Sequence, residues 1–543
     1  MFGLMQDRPL LISSLLEHAE RYHPGSEIVS ATCEGPLVRS NWKSLALRVR
    51  KLAQALQKLG VKPGDRVATL AWNTHRHVEL YFAVSGMGAV LHTVNPRLFP
   101  EQIDYIVNHA GSTVLLFDIT FAKLVGDLRD RLPGVGHFIA LTDEAHMPAE
   151  AGPALCYETL LAAEEGVFDW PVFDENTASS LCYTSGTTGN PKGVLYSHRS
   201  SVLHSFMVCT VDGLALSSAD TTLLVVPLFH VNAWGMPYAS AMCGANLVLP
   251  GPKLDGESVY KLATAEKCTF TLGVPTVWLS LLQYIETTPG CAVSDLPFTR
   301  LMIGGSAAPR AMIETFEKGG VPVVQAWGMT ETSPVAAVGN LLPKHAALSQ
   351  DEQIDIKVRQ GRAVYGVELK ITDEEGATLP HDGARSGDLW VRGPWITRGY
   401  FGGEGGEQLD ADGWFPTGDV ARIDTEGYVT LTDRSKDVIK SGGEWISSID
   451  LENAVMGHTA VQQAAVIGVP HPKWQERPLL VVVKKPGAEA EPKALLDYLS
   501  ERVARWWLPD DVVFVDALPH TATGKVQKLK LREQFRDHVL PTA

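Results

Sequence analysis

Residues 66–93, RVATLAWNTHRHVELYFAVSGMGAVLHT, contain the pattern that decides the fold. Arg66–Ala71 is a short apolar run typical of a buried strand, residues 77–86 have helical character, and Ala89–Thr93 is a second apolar run. A strand, a helix and another strand in this order predict a mainly parallel sheet with helices on its faces. The sequence therefore indicates an α/β protein.

The same alternation continues on both sides of this stretch. A helix is predicted over 45–59, because apolar residues recur there at steps of three and four, and Gly60 ends it. Another helix and strand are predicted over 100–109 and 113–117. Farther along, three apolar runs are typical of central strands: Thr222–Val226, Asn246–Leu249 and Arg300–Ile303. We therefore expect one large α/β lobe.

The pattern changes after about residue 360. Short strands separated by Gly, Asp and Pro turns are predicted at 367–372, 387–391 and 428–432. They predict a β-rich subdomain over about 345–432, which completes a large N-terminal domain over 1–432.

A second unit is predicted from residue 433 to residue 543. Helices are expected over 448–456 and 492–503, strands over 461–469, 479–484 and 512–514, and a basic helix near the end. About 110 residues are enough for an independent small domain. We expect a mobile α+β domain that follows the large one.

Composition excludes several functions. The 543 residues are 45% hydrophobic and 20% charged, as in ordinary globular proteins. The net charge of −15 argues against general nucleic-acid binding, which needs a basic surface. No apolar run approaches the ~20 residues that a membrane span requires.

Seven scattered cysteines without a CxxC pair argue against a disulfide framework or a zinc site. No signal peptide is recognised at the N-terminus. Both observations lead us to expect a cytoplasmic location.

The strongest local motif is Tyr183–Gly193, YTSGTTGNPKG. Its glycines permit close backbone approach, and its hydroxyls and N–H groups can surround phosphate oxygens, while Lys192 adds a positive charge. The required Gly-Lys-Ser/Thr order of a Walker A loop is absent. A flexible surface hairpin is the less favoured interpretation, because hydroxyls and glycines are so dense here.

Four other segments carry candidate chemistry, and each is ambiguous when taken alone. A Thr-Glu pair could bind Mg²⁺ or could simply begin a helix, an aspartate could bind ribose or form a turn, and a lysine near the C-terminus is usually only solvated. These segments are Gln325–Thr332, Trp414–Asp419 with Asp433–Asp437, Lys440–Ser447, and Thr521–Lys528.

Together the five segments resemble the adenylate-forming superfamily, which includes acyl-CoA synthetases, peptide-synthetase adenylation domains and beetle luciferases. The resemblance covers nearly the whole chain, with the segments in the family order. Further stretches resemble the bacterial medium- and long-chain fatty acyl-CoA synthetases, a subgroup that includes 3-methylmercaptopropionyl-CoA ligases: Phe229–Trp234, Gly304–Pro309, Ser441–Ser448 and His471–Pro478.

The resemblance implies a role for each matching residue. Thr184, Ser185, Gly186, Thr187, Thr188, Gly189 and Lys192 would bind the ATP phosphates, with Thr184 and Glu331 on Mg²⁺. The remaining nucleotide contacts would come from Gly305, Ser306, Ala307, Ala308, Trp327, Gly328, Met329, Thr330, Asp419 and Arg434. Trp234, Gly304 and Pro334 would line the acyl tunnel, with His230 near the carboxylate. Lys440, Trp445 and Glu476 would form a gate between the domains. Asp433 would be the hinge and Lys525 the catalytic lysine.

These roles imply a two-step reaction. A carboxylic acid and ATP would form an acyl-adenylate, and the acyl group would then pass to coenzyme A. An enzyme that loads a carrier protein, and a nucleotide-binding regulator without activity, remain alternatives. The bulk of Trp234, Tyr238 and Trp327 indicates a short or medium acyl chain, or 3-methylmercaptopropionate, as substrate. The resemblance also implies a homodimer, since two-fold oligomers are the commonest kind.

Overall fold

The structure is a computed structural model, which describes residues 1, 3–184, 190–442, 444–521 and 525–543. Ser185, Gly186, Thr187, Thr188 and Gly189, predicted to bind phosphates, lie outside the described residues. So do Gly443 and residues 522–524 of the predicted C-terminal motifs. In the described part of the chain, no helix combines the length and the apolar character needed to cross a bilayer.

The helices are α1 (Ile12–Tyr22), α2 (Trp42–Lys58), α3 (His75–Gly86), α4 (Pro100–Ala110), α5 (Ala122–Leu128), α6 (Tyr157–Ala162), α7 (His198–Cys209), the short turn α8 (Val231–Trp234), α9 (Met236–Cys243), α10 (Gly256–Ala265), α11 (Pro275–Thr287), α12 (Arg310–Lys318), α13 (Gln350–Lys357), α14 (Ser448–Val455), α15 (Pro492–Ser500) and α16 (Lys528–Gln534).

The strands are β1 (Glu27–Ala31), β2 (Leu37–Asn41), β3 (Arg66–Leu70), β4 (Val90–Thr93), β5 (Ser112–Phe117), β6 (His137–Ala140), β7 (Leu155–Cys156), β8 (Ala178–Tyr183), β9 (Gly193–Ser197), β10 (Thr221–Leu223), β11 (Asn246–Leu249), β12 (Phe270–Gly273), β13 (Arg300–Ile303), β14 (Val323–Gly328), β15 (Val335–Val338), β16 (Gly361–Ala363), β17 (Glu368–Thr372), β18 (Gly387–Arg392), β19 (Phe415–Ile423), β20 (Tyr428–Arg434), β21 (Ile439–Ser441), β22 (Glu444–Ile446), β23 (Val461–His471), β24 (Gln475–Lys484) and β25 (Asp511–Phe514).

The seven-stranded sheet has the order β7-β6-β5-β3-β4-β8-β9. Its neighbours pair in parallel, apart from the antiparallel pair of β8 and β9. β3 and β4 pair as the strand–helix–strand pattern of residues 66–93 predicts, and α3 between them is buried along its whole length. The α/β class is confirmed.

The thirteen-stranded sheet has the order β17-β18-β19-β20-β16-β15-β14-β13-β12-β10-β11-β1-β2. The strands from β1 through β11, β10, β12 and β13 to β14 pair in parallel, and pairing becomes antiparallel from β15 to β17. The β-rich segment is therefore hydrogen-bonded to the α/β segment through β14 and β15.

The C-terminal region forms a separate five-stranded sheet in which β22, β21, β24 and β23 are neighbours and β25 pairs with β24. One face of this sheet packs Val466, Leu480 and Val482 with Leu451 of α14 and Leu495 of α15. The other face packs Ile467 and Val481 with Leu531 of α16. This region is an α+β unit with a core on each face of its sheet.

Several predicted boundaries differ from the structure, and three of the differences have a visible cause. β10 ends at Leu223 rather than Val226, because the side-chain amide of Asn73 binds the carbonyls of Leu224 and Val226. β24 begins at Gln475 rather than Leu479, because its polar start pairs with the end of β23 in a hairpin. β20 extends through Arg434, so Asp433 lies within a strand paired with Val420.

Candidate active site

Residues from distant segments converge at the ends of β14 and β20 and in the middle of β19. The 3₁₀ turn Thr330–Thr332 follows β14, while Asp419 and Arg434 face each other across β19 and β20. Lys525 of the C-terminal region lies close enough to this place for the charges of Arg434, Asp419 and Glu331 to act on its ammonium group. The structure thus brings together four of the residues predicted from separate motifs.

Asp419 is shared by two side chains. The indole Nε1 of Trp327 donates to its Oδ2 at 2.9 Å, and the Nε of Arg434 lies 3.4 Å from its Oδ1. The carboxylate is buried. In this arrangement the side chain predicted to bind ribose also fixes Trp327, which is predicted to line the adenine slot.

Glu331 is a buried carboxylate with a single short hydroxyl contact. The Tyr400 hydroxyl donates to its Oε1 at 2.7 Å. Burial raises the pKa of the Glu331 carboxyl above its usual range, while the Tyr400 hydrogen bond and the cations Arg434 and Lys525 act in the opposite direction. Its backbone is held as well, since the Thr397 N–H donates to the Glu331 carbonyl at 2.8 Å.

The backbone of Lys525 is paired with Thr521. Its N–H donates to the Thr521 hydroxyl at 3.1 Å, and its carbonyl accepts from the Thr521 N–H at 2.6 Å. Burial and the neighbouring Arg434 lower the pKa of the ammonium group to about 8, and Asp419 and Glu331 oppose them. The lysine is therefore mostly a cation at neutral pH.

His230 lies near Lys525 and is neutral. Burial, aided by the positive charge of Lys525, lowers the pKa of its imidazole to about 3. A neutral ring beside an ammonium group can donate or accept a hydrogen bond without adding to the local charge. It can therefore orient a carboxylate that the lysine attracts.

The backbone directly after His230 is strained. Residues 231–234 of α8 all have left-handed φ angles between 47° and 56°, a conformation that costs about 1–3 kcal/mol for each such residue outside glycine. The Asn232 amide holds this turn by donating to the Ser180 hydroxyl of β8 at 2.9 Å. Strain of this kind persists where the surrounding structure imposes it. The turn that it marks carries Trp234 and directly follows His230.

Trp234 packs against Gly304, the glycine predicted to line the acyl tunnel. A Cβ on Gly304 would lie 2.8 Å from the Trp234 ring, so glycine is required for this contact. Pro334 lies next to another glycine, since a Cβ on Gly328 would come within 1.8 Å of the Pro334 carbonyl. Tyr238 instead packs in the core against Tyr81 and Phe82, with ring centroids 5.6 and 5.8 Å apart.

The ends of the predicted phosphate loop are joined to each other. The Thr184 N–H donates to the Lys192 carbonyl at 2.9 Å, and the Lys192 N–H donates to the Thr184 hydroxyl at 3.2 Å. The Lys192 ammonium lies 4.8 Å from the centre of the Tyr400 ring. This contact connects the loop with the residue that binds Glu331.

The residues predicted for the adenine slot occupy the loop after β13. Gly305 has a φ of 82°, which favours glycine, and the Ala308 N–H donates to the Gln325 amide oxygen at 3.2 Å. Ser306 is exposed and Ala307 is half-buried. The loop therefore presents Ser306 beside the ends of β13 and β14, and β14 carries Trp327.

The predicted gate residues form a different set of contacts. The Lys440 N–H donates to Glu476 Oε2 at 3.0 Å, and its ammonium lies 5.6 Å from the Trp445 ring. The same ammonium is 3.4 Å from Glu374 Oε1 on the exposed side of the β-rich segment. The structure therefore does not place Lys440, predicted as catalytic, with Lys525, Glu331 and His230.

Sequence reasoning missed the residues that support the site. Tyr400 bonds Glu331, the Tyr196 hydroxyl donates to the Thr330 carbonyl at 2.6 Å, and Asn232 holds the turn after His230 by bonding Ser180. Tyr196 stands three residues after a predicted motif and Asn232 lies within one, which was the signal available. Tyr400 is 69 residues from Glu331, so no local pattern could have connected the two.

Metal binding by protein side chains alone is not indicated. Among the described residues, no group of three or more His, Cys, Asp and Glu side chains is placed to hold a metal ion. Glu331 is a single carboxylate, connected through Tyr400 with Lys192 of the predicted phosphate-binding motif. Such a set fits Mg²⁺, which usually takes one or two carboxylates and completes its shell with phosphate oxygens and water.

Comparison with known proteins gives matches over the whole chain. The family described as AMP-binding enzyme matches residues 16–401, and the AMP-binding enzyme C-terminal domain matches residues 450–525. A 3-methylmercaptopropionyl-CoA ligase from Ruegeria lacuscaerulensis is 53% identical over 539 residues, covering 99% of each chain. A medium-chain-fatty-acid–CoA ligase from Ectopseudomonas oleovorans is 50% identical and covers 99% of this chain and 98% of its own.

The fold also matches a solved structure. The anthranilate CoA ligase AuaEII in complex with anthranoyl-AMP has a TM-score of 0.85 and 26% identity, and the match covers 98% of this chain and 99% of that one. Both the sequence and the fold matches therefore extend across the α/β, β-rich and C-terminal segments.

Proposed function

The chain belongs to the AMP-binding enzyme family, and we propose that it works as an AMP-forming acyl-CoA ligase on a short- or medium-chain carboxylic acid. As an acyl-CoA ligase it converts a carboxylic acid, ATP and CoA into acyl-CoA, AMP and pyrophosphate. The observation that supports this reaction most directly is the convergence of Lys525, Glu331, Asp419 and Arg434 beside His230.

The first half-reaction joins two anions. The substrate carboxylate attacks the α-phosphate of ATP, so the site must offset their repulsion and the charge that develops at phosphorus. Lys525 supplies the positive charge between the two groups, and neutral His230 orients the carboxylate. No side-chain nucleophile is required, since the substrate provides it.

The nucleotide would be held around this point. Asp419 and Arg434 would bind the ribose, and the loop 305–308 with Trp327, Gly328, Met329 and Thr330 would border the adenine. Thr184 and Lys192 would contact the β- and γ-phosphates. Mg²⁺, when bound by Glu331 and Thr184, would neutralise part of the triphosphate charge.

The second half-reaction would use the other face of the C-terminal region. Lys440 contacts both Glu476 and Trp445, and none of the three carries the first-step contacts described above. We propose that they border the path by which the CoA thiol reaches the adenylate after the C-terminal region turns about the segment near Asp433.

Substrate size follows from the residues around Trp234. The indole fills space against Gly304, and it is held there by a strained turn. We propose butyrate, hexanoate or 3-methylmercaptopropionate as substrates, in keeping with the names of the relatives. A homodimer in the cytoplasm is also proposed.

One experiment tests the reaction and the substrate together. Pyrophosphate and AMP release are measured with ATP, Mg²⁺ and a panel of acids, with and without CoA. We expect the highest kcat/KM for butyrate, hexanoate or 3-methylmercaptopropionate, and thioester formation only with CoA. Lack of pyrophosphate release with every acid would contradict the reaction, and a clear preference for palmitate would contradict the size of the pocket. Light scattering tests the dimer.

A further inference from the structure

Tyr400 occupies a central position between two predicted ATP-binding elements. It lies just before the 3₁₀ turn Phe401–Gly403, in the connection between β18 and β19. Its ring packs against the cluster of Cys182, Val194 and Tyr196, which belongs to β8 and β9 on either side of the phosphate loop. The ring is therefore held against the two strands that flank the predicted phosphate loop.

The hydroxyl of Tyr400 contacts the candidate metal ligand. It donates to Glu331 Oε1 at 2.7 Å, a charge-assisted geometry. The Glu331 carbonyl also accepts from Thr397 at 2.8 Å, so side chain and backbone of Glu331 are both tied to residues 397–400. A carboxylate held through one oxygen keeps a defined direction for the other.

The face of the Tyr400 ring contacts the candidate phosphate ligand. The Lys192 ammonium lies 4.8 Å from the ring centre, a distance typical of a cation–π contact. A Cβ on Gly405 would lie 3.0 Å from the same ammonium, so the segment after Tyr400 also borders Lys192. One side chain thus touches two groups that approach the triphosphate from different elements.

The segment that carries Tyr400 is anchored on its far side. Tyr105 of α4 donates to Glu404 Oε1 at 2.9 Å, and His109 of the same helix hydrogen-bonds the Tyr183 hydroxyl at 2.7 Å. His109 also packs against Phe401, with ring centroids 5.6 Å apart. Residues 400–404 are therefore attached to α4 and to β8, rather than only to their own strands.

We propose that Tyr400 is a positioning residue for the metal–triphosphate complex: its hydroxyl directs Glu331 toward the metal, and its ring directs Lys192 toward the phosphates. This inference rests on the proposed function, because it assigns metal and phosphate to Glu331 and Lys192. It predicts that the two halves of the side chain contribute separately, the hydroxyl to metal affinity and the ring to nucleotide affinity.

Two substitutions separate these contributions. Tyr400→Phe removes the hydroxyl and keeps the ring, while Tyr400→Leu removes both. Tyr365→Phe is the matched control, since Tyr365 is 98% exposed. Binding of Mn²⁺ to the protein with a non-hydrolysable ATP analogue is followed by electron paramagnetic resonance, and metal-free ATP binding by calorimetry.

We expect Tyr400→Phe to weaken Mn²⁺ binding in the nucleotide complex about tenfold, as for a lost hydrogen bond to a charged group, with metal-free ATP affinity unchanged. Tyr400→Leu should weaken both. Saturating Mg²⁺ should restore pyrophosphate release in Tyr400→Phe, which a merely misfolded variant would not show. The Tyr365→Phe protein should match the wild type.

Unchanged Mn²⁺ affinity in Tyr400→Phe would overturn the inference. A loss that excess Mg²⁺ does not restore would overturn it too, because it would indicate a general structural defect. Failure of the proposed function looks different: the wild-type protein itself would release no pyrophosphate from ATP with any acid of the panel.

Discussion

Two lysines of the C-terminal region, Lys525 and Lys440, stand in contrasting environments. Lys525 is half-buried near Arg434, Asp419 and Glu331 of the large lobe, and its pKa is lowered to about 8. Lys440 is exposed and 3.4 Å from Glu374 on the outer surface. Both belong to sequence motifs of equal clarity, yet the fold brings only one of them to the converging site.

The difference indicates that one face of the C-terminal region is turned toward the site and the other away from it. This arrangement is supported by a latch of four residues, Asp433, Ser448, Glu452 and Lys528. Asp433 accepts from the Ser448 N–H at 3.0 Å, and the Lys528 ammonium lies 2.9 Å from Glu452 and 3.9 Å from Asp433. Lys528 is three residues from Lys525. The end of β20 is thereby connected with the loop that carries the catalytic candidate.

Removal of the Lys525 ammonium should have the largest effect. Lys525→Ala is expected to lower adenylate formation at least ~100-fold, by comparison with the loss of one group that stabilises transition-state charge. Thioester formation from pre-formed acyl-adenylate and CoA should stay near that of the wild type. Pyrophosphate release and thioester formation are measured separately.

Lys530→Ala is the control for that experiment, because Lys530 is an exposed residue of α16 whose ammonium lies 5.6 Å from the Phe99 ring. Wild-type adenylation in Lys525→Ala would contradict the role. Equal loss in both half-reactions would indicate that the lysine instead supports the fold.

The pH dependence of adenylation should follow Lys525. The free-enzyme parameter kcat/KM reports the pKa of essential groups, and the ammonium form is lost as the pH rises through about 8. We expect kcat/KM to be level below that pH and to fall about tenfold for each further unit, as for a single titrating group. His230, with a pKa of about 3, should add no inflection near 6.5.

The pH profile is measured as pyrophosphate release in wild type and in Lys525→Arg, whose guanidinium does not titrate in this range. Any activity retained by the arginine variant should lack the alkaline fall. An alkaline fall that persists in Lys525→Arg would assign the titration to another group.

Lys440→Ala should reverse the pattern of Lys525→Ala. We expect thioester formation to fall about tenfold, the size of a lost hydrogen bond to a charged group, and adenylation to change little. The measurement is the pair of half-reaction assays on the variant. A larger loss in adenylation than in thioester formation would show that Lys440 reaches the first-step site, in conflict with its exposed position.

The latch should give the smallest effect. Asp433→Asn keeps the size of the side chain and removes the charge that Lys528 faces at 3.9 Å, an interaction of about 1 kcal/mol or more at that distance. Adenylation should fall about fivefold because Lys525 is held less firmly. Adenylation and thioester formation are measured separately on the variant. A decrease confined to thioester formation would contradict the idea that Asp433 helps to hold Lys525.

Much of the fold could be predicted from local pattern. Arg300–Ile303 and Asn246–Leu249 are strands as predicted, because each has three apolar residues that are buried in a sheet. The polar start of β24 could not be predicted from local pattern, since Gln475 and Glu476 are in a strand only because His471 and Pro470 pair with them. The site shows the same division: its lysines and acids stand in motifs, whereas Tyr400 acquires its role from a contact across 69 residues.

The sequence by itself determined the family, the α/β class and the residue types that adenylation requires, because glycine-rich loops, paired hydroxyls and isolated lysines are local features. Only the tertiary structure decided which of them meet. Lys525 faces Glu331 and Asp419 while Lys440 faces Glu374, because the fold of the C-terminal region directs the two side chains to different parts of the large lobe. Burial then sets the protonation of His230 and Lys525, and no sequence pattern specifies how much water a side chain loses.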